Sequence, residues 1–96
     1  MGNKTAIEWD TTIRQVAGLI SADMDEEKVM LNIENGKYFG LDHIGRYIWE
    51  LIEKPRTARG VVDVLLNEYD VEEKICQNQV MSFLNRLHTQ GLIVIE

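Results

Sequence analysis

No apolar run in the sequence approaches the length of a membrane span, and the N-terminus lacks the apolar core of a signal peptide. Neither a membrane protein nor a secreted one is expected. A single cysteine, Cys76, excludes an internal disulfide and with it the stapled scaffold of small secreted domains. A cytoplasmic protein is the expectation. Cations are also scarce: ten Lys and Arg stand against sixteen Asp and Glu, a net charge of −6. Phosphate binding needs a concentrated cationic face, so this balance disfavours nucleic acid and modestly favours a neutral or basic partner. There is no internal repeat, no low-complexity stretch and no glycine-rich phosphate loop.

Chemistry-bearing residues are equally thin. The two histidines, His43 and His88, and the one thiol are the only Cys/His ligands, too few and too scattered for structural zinc. The acidic stretch Asp23, Asp25, Glu26, Glu27 lacks the glycine and the ligand spacing of an EF-hand loop and reads as a solvated turn. A Cys76–His88 pair on one helix would be separated by about 18 Å along the axis, out of reach for proton transfer. No metal, no cofactor and no catalytic group are expected.

What is present is apolar pattern. At 45% hydrophobic residues, the 96-residue chain is expected to fold as one domain. Residues 1–10 carry few apolar positions and read as a loose arm, with Ile7 and Trp9 as possible anchors; the domain proper is 11–96. From Thr11 to Leu41 the pattern is strand-like. Thr12, Ile13, Val16 and Leu19 form a first β-prone segment, followed by an acidic turn over Asp23–Glu27. Val29, Leu31 and Ile33 then alternate with Met30, Asn32 and Glu34, which puts the branched residues on one face. Asn35-Gly36 predicts a two-residue hairpin turn leading into a strand over Lys37–Leu41.

From Asp42 the period becomes helical. Ile44, Tyr47, Ile48, Leu51 and Ile52 make one apolar stripe behind Asp42 as N-cap, and Pro55 ends that helix. Thr57 caps a second helix, with Ala58, Val62, Leu65, Leu66 and Tyr69 on one face. Asp70 with Glu73 has the spacing of a capping box for a third helix. Its stripe is Cys76, Val80, Phe83, Leu84 and Leu87, and Gly91 stands where a C′ glycine belongs. Leu92–Ile95 reads as a last strand. The order β-β-β-α-α-α-β is α+β, a winged helix-turn-helix with an N-terminal three-stranded antiparallel sheet followed by three helices.

Such folds often bind DNA, but Asp70, Glu72 and Glu73 crowd the turn of the recognition helix that would approach phosphates. Peptide binding suits the pattern better. The strand Lys37-Tyr38-Phe39-Gly40-Leu41 would end the sheet with an unpaired edge, a template for an added strand, and its aromatics offer anchoring area. On the third helix a row of Gln77, Met81, Leu84 and His88 flanks the buried stripe. A partly exposed methionine there suits an adaptable groove, whereas Phe39 and Leu84 read equally well as core.

These residues resemble a known family. Val29-Met30-Leu31, Asn35-Gly36-Lys37-Tyr38-Phe39-Gly40-Leu41-Asp42, Ile48-Trp49-Glu50-Leu51, Pro55-Arg56-Thr57 and the run from Phe83-Leu84 to Gly91-Leu92-Ile93 are similar in order to the pyrroloquinoline quinone synthesis protein D family. Tyr38–Asp42 with Gly45 and Ile48-Trp49 resembles its stand-alone members from lasso-peptide biosynthesis. The resemblance implies a domain that binds the leader of a ribosomally made precursor peptide and delivers it to a cysteine-protease-type leader peptidase, with a separate ATP-dependent cyclase closing the ring. It implies a leader added as a strand along Lys37, Tyr38, Phe39, Gly40 and Leu41, beside a helix flank assigned by helical wheel to Gln77, Val80, Met81, Leu84, Asn85 and His88. A DNA-binding regulator and a chaperone for the quinone precursor are the alternative readings. The turn Thr57-Ala58-Arg59-Gly60 departs from the acidic helix start expected of the family and bears on the stability of that helix.

Overall fold

The computed structural model of the chain describes residues 7–25, 27–34 and 36–96. Four strands come first: β1 (Thr12–Gln15), β2 (Ile20–Met24), β3 (Glu27–Asn32) and β4 (Lys37–Leu41). Helix α1 (His43–Leu51), the two-residue strand β5 (Arg56–Thr57), α2 (Ala58–Glu68), α3 (Glu73–Thr89) and β6 (Ile93–Ile95) complete the chain. The α+β class and the winged-helix order of sheet, three helices and final strand hold. The strands differ in number and grouping from the expectation.

Local signals set the helix boundaries. The carboxylate of Asp42 accepts from the Gly45 N–H at 2.8 Å and the Thr57 hydroxyl accepts from the Gly60 N–H at 3.0 Å, so each satisfies one of the orphan donors of its helix. Helix α1 ends at Leu51, before Pro55 could enter it. At the end of α3, Gly91 takes a positive φ of 78°; its N–H donates to the His88 carbonyl and the Leu92 N–H donates to the Leu87 carbonyl, a Schellman closure. The Asp70–Glu73 capping box does not form. Helix α3 starts later, with Glu72 at the cap position and no side-chain cap bond, because the chain turns tightly first and the Val71 N–H donates to the Tyr69 carbonyl.

The first β-prone segment is two strands in two sheets. β1 pairs with β6 (Ile13↔Ile95) and β5 (Thr12↔Thr57), whereas β2 pairs with β3, giving orders β5-β1-β6 and β2-β3-β4, all antiparallel. Gly18, at φ 87°, turns the chain between them. The tight hairpin is also one turn earlier than expected: Met24 pairs with Glu27, with Asp25 at φ 61° following Met24. The strands β3 and β4 close at Asn32↔Lys37, leaving residues 33–36 as a four-residue connection. There the Gly36 N–H donates to the Asn32 carbonyl at 2.9 Å and the Glu34 N–H donates to the Asn32 side-chain oxygen at 3.0 Å. This side-chain turn competes with the ladder and stops β3 before Ile33. Gly36 has the positive φ expected of it, at 70°; Asn35 lies outside the described residues.

Packing against the helices sets which face of β3 is core. Met30, paired with Phe39, is fully buried, while Leu31 and Ile33 are exposed. The branched alternation thus marks the outer face, where Ile20, Leu31 and Tyr38 lie in one cross-strand row. The inner face of this sheet, the second sheet and the three helices share a core that includes Ile13, Met30, Leu41, Ile52, Leu84, Leu87 and Ile93. Each such side chain contributes about 1.5–3 kcal/mol by leaving water. Residues 7–10, assigned from sequence to the arm, pack on the domain. Ile7 is buried, Trp9 lies against the core, and the Trp9 carbonyl accepts from the Arg59 N–H. The rest of the arm, residues 1–6, lies outside the described residues.

Candidate functional site

β4 is one end of its sheet. Its partner β3 occupies one side, and among the described residues no strand lies on the other. β2 forms the opposite edge, but the two edges differ in what lies beside them. Along β4 the strand continues through the Asp42 cap into α1, and α3 runs on the far side of the gap. A cleft of about 660 Å³ opens between them.

The walls of this cleft are mostly apolar and come from every helix, with Glu27, Asp42, Gln79 and Arg86 as their polar members. Gly40, Leu41 and Asp42 form the strand side; the buried Gly45 and Ile48 of α1 form the floor. Leu65, Tyr69 and Val71 close one end, and Cys76, Gln79, Val80, Phe83 and Arg86 of α3 form the far wall. Ile44, Tyr69 and Val71 are partly exposed at its mouth. Gly45 matters to its depth. The residue is buried, and a Cβ there would stand 3.2 Å from the ring of Phe83, so glycine lets that ring lie against α1. A smaller hollow of about 480 Å³ continues toward the end of α3, lined by Phe39, Ser82, Asn85, Arg86, Thr89 and Gln90.

Arg86 belongs to both hollows and bridges their walls. Its guanidinium carbon is 5.7 Å from the centroid of Phe39 on β4 and 5.8 Å from that of Phe83 on α3, cation–π contacts to each. Cys76 is buried on the wall, and burial first, then the nearby Glu73 carboxylate, push its thiol up from the usual 9.0. A protonated buried thiol is a packing group rather than a nucleophile. Among the described residues no three His, Cys, Asp or Glu side chains are grouped to hold a metal, and no helix is long and apolar enough to cross a membrane.

The residues singled out from sequence are only partly brought together. Phe39 and Leu41 point from β4 to the inner face, Gly40 borders the cleft through its backbone, and Tyr38 points to the outer face at 76% exposure. Lys37 shares the inner-face register with Phe39 and Leu41. On α3, Val80 lines the cleft and Asn85 the smaller hollow. Gln77, Met81, Leu84 and His88 line neither. Leu84 is fully buried core and Met81 packs against that core. Their side of α3 faces the N-terminal segment: Asn85 donates to the Met81 carbonyl at 2.9 Å and accepts from the Ile7 N–H at 3.4 Å. The helix positions that meet the cleft are Cys76, Gln79, Val80, Phe83 and Arg86. Phe83 was legible as part of the apolar stripe; no sequence signal singled out Gln79, and Arg86 was legible only as an exposed residue of the third helix.

With that geometry in view, comparison with known proteins is decisive for the family. Residues 27–93 match the model for coenzyme PQQ synthesis protein D. The chain belongs to the PqqD family. The match takes in β3, β4, all three helices and the start of β6, hence the whole cleft. No curated protein sequence matches the chain. Among solved structures, TbiB1 in complex with the TbiA(beta) leader peptide is 32% identical, with a TM-score of 0.75 over 83% of this chain and 93% of that one. A lasso peptide synthetase B1 complexed with its leader peptide is 21% identical, with a TM-score of 0.74 over 85% and 96%. The PqqD truncation of Methylobacterium extorquens PqqCD, a stand-alone recognition element for ribosomally synthesised, post-translationally modified peptides, is 20% identical, with a TM-score of 0.76 over 94% and 96%. This PqqD-family chain therefore has the fold of the recognition elements, and the most identical of these three structures is a complex with a leader peptide.

Proposed function

We propose that the chain binds the leader segment of a ribosomally synthesised precursor peptide as an added strand on β4, and catalyses nothing itself. The observation that carries this reading is the edge of β4 that no other strand among the described residues covers, running beside an open, mostly apolar cleft. An extended peptide on that edge gains main-chain hydrogen bonds that fix its register, and alternate side chains enter the cleft and supply affinity. The ordering cost of a disordered leader offsets part of this gain, so a Kd on the order of 10⁻⁸ to 10⁻⁵ M is expected.

The resemblance of Tyr38–Asp42, Gly45 and Ile48-Trp49 to stand-alone members from lasso-peptide biosynthesis, with the fold shared with a lasso peptide synthetase B1, supports a lasso-type precursor as the source of the leader. In that setting the loaded domain delivers its leader to a cysteine-protease-type peptidase, and an ATP-dependent cyclase acts afterwards. The raised thiol pKa of Cys76 and its packing role support a binding module over an enzyme. The exposed carboxylates at the start of α3 repel phosphate, which favours a peptide over DNA on the same helix pair.

An NMR titration of labelled protein with synthetic lasso-type leaders and with the TbiA(beta) leader tests the reading. Expected are amide shifts in Lys37–Leu41 and in the Cys76–Arg86 half of α3. Shifts confined to β2 or to the β5-β1-β6 sheet would overturn it.

A further inference from the structure

The chain has five arginines, and four have a fixed partner. Arg14 pairs with Glu96, Arg46 with Asp23 and Glu50, and Arg59 with Asp10, while Arg56 donates to the Leu51 carbonyl at 2.9 Å. The guanidinium of Arg86 has no carboxylate or carbonyl partner among the described residues, although the chain carries sixteen Asp and Glu. Its contacts are the two aromatic rings. Those contacts hold the group across the cleft without supplying a hydrogen-bond acceptor, so its N–H donors remain for a guest.

Its position defines the guest. Arg86 stands where the larger apolar hollow meets the smaller one. A strand added to β4 sends every second side chain inward, about 7 Å apart. One inward side chain would enter the larger hollow, another the smaller, and the one between them would meet Arg86. A planar, doubly accepting carboxylate matches the guanidinium fork there, and a like charge would be repelled.

We propose that Arg86 reads an Asp or Glu side chain of the bound leader, at an inward position between two apolar anchors. This rests on the reading that a leader occupies the β4 cleft. It makes Arg86 a specificity-determining residue: the apolar hollows accept many side chains, whereas an unsatisfied cation in a peptide-filled cleft rejects leaders without the acid.

The test is a double-mutant cycle read by fluorescence anisotropy. A panel of labelled synthetic lasso-type leaders, with the TbiA(beta) leader beside them, is titrated with the wild-type chain, and the tightest binder is resynthesised with each Asp and Glu changed singly to its amide. Arg86→Gln, checked for folding by circular dichroism, is expected to raise Kd by roughly 10- to 100-fold, the size of a lost charge-assisted hydrogen bond. One amide peptide should show the same loss on wild type and no added loss on Arg86→Gln, and Arg86→Lys should recover part of the affinity. Unchanged binding by Arg86→Gln overturns the proposal. So does a loss on Arg86→Gln that no amide peptide reproduces, or a tight leader with no acidic residue. If no leader in the panel binds the wild-type chain, the leader reading itself fails, a result separable from all of these.

Discussion

Gly45 of α1 and Phe83 of α3 meet at the bottom of the cleft, where a methyl group on residue 45 would come within 3.2 Å of the aromatic ring. Gly45→Ala gains helix propensity of about 1 kcal/mol but must push Phe83 toward the space a leader would fill. Folding stability should therefore change little, while leader affinity falls about fivefold or more, the equivalent of roughly 1 kcal/mol of lost fit. Thermal melts set beside anisotropy titrations separate the two effects, and a parallel drop in both would place Gly45 in the core rather than at the site.

Phe83 and its neighbour Leu84 should divide along the same line. Leu84 is fully buried between helices and sheets, so Leu84→Ala is expected to lower unfolding free energy by about 2–5 kcal/mol. Phe83 is half-buried on the cleft wall, so Phe83→Ala should weaken leader binding more than it weakens the fold. Urea unfolding and titration of each variant check the split.

If the leader lies along β4 as a strand, only alternate backbone N–H groups face the domain. Single N-methylation along the leader should then alternate between tolerated and damaging positions with a period of two. Each damaging methyl should cost on the order of tenfold in Kd, the loss of one hydrogen bond and the fit around it. A leader bound as a helix would instead show no such alternation.

The thiol of Cys76 carries a pH dependence of stability. Its folded pKa is raised, chiefly by burial and then by Glu73, so the protonated form is favoured in the native state. That contribution is complete below the unfolded pKa and is lost as pH rises through the folded one. The stability difference between wild type and Cys76→Ala should accordingly be constant at neutral pH and shrink above about pH 9. Iodoacetamide should react slowly with the folded chain at neutral pH, as read by mass spectrometry.

The helices were legible in the sequence because their signals are local. Asp42, Thr57 and Gly91 do at the helix ends what their residue types dictate, within one turn of chain. The sheets were less so. Ile13 pairs with Ile95 across almost the whole chain, a partnership no short-range alternation encodes, and β5 is too short to leave a pattern. The face of β3 was open for a related reason. Val29 and Leu31 alternate as cleanly as Lys28 and Met30, and only packing against the helices made Met30 the core side.

The helix side of the cleft was open to two readings on the same ground. The buried stripe of α3 has two flanks, one through Gln77, Met81 and His88 and one through Gln79, Phe83 and Arg86. A helical wheel cannot say which flank meets β4. The N-terminal segment, through Ile7 and Asn85, lies beside the first flank, and the second is left to the cleft. The strand side needed no such choice, since an edge strand presents its free backbone whatever its side chains are.

Amide hydrogen exchange on β4, with and without a bound leader, probes most directly whether an extended guest completes the sheet. Addition of a saturating leader should slow exchange at alternate amides within Lys37–Leu41 and leave β2, the other open edge, as it was. Unchanged exchange along β4 in a saturated complex, or protection appearing at Ile20–Met24 instead, would contradict the account.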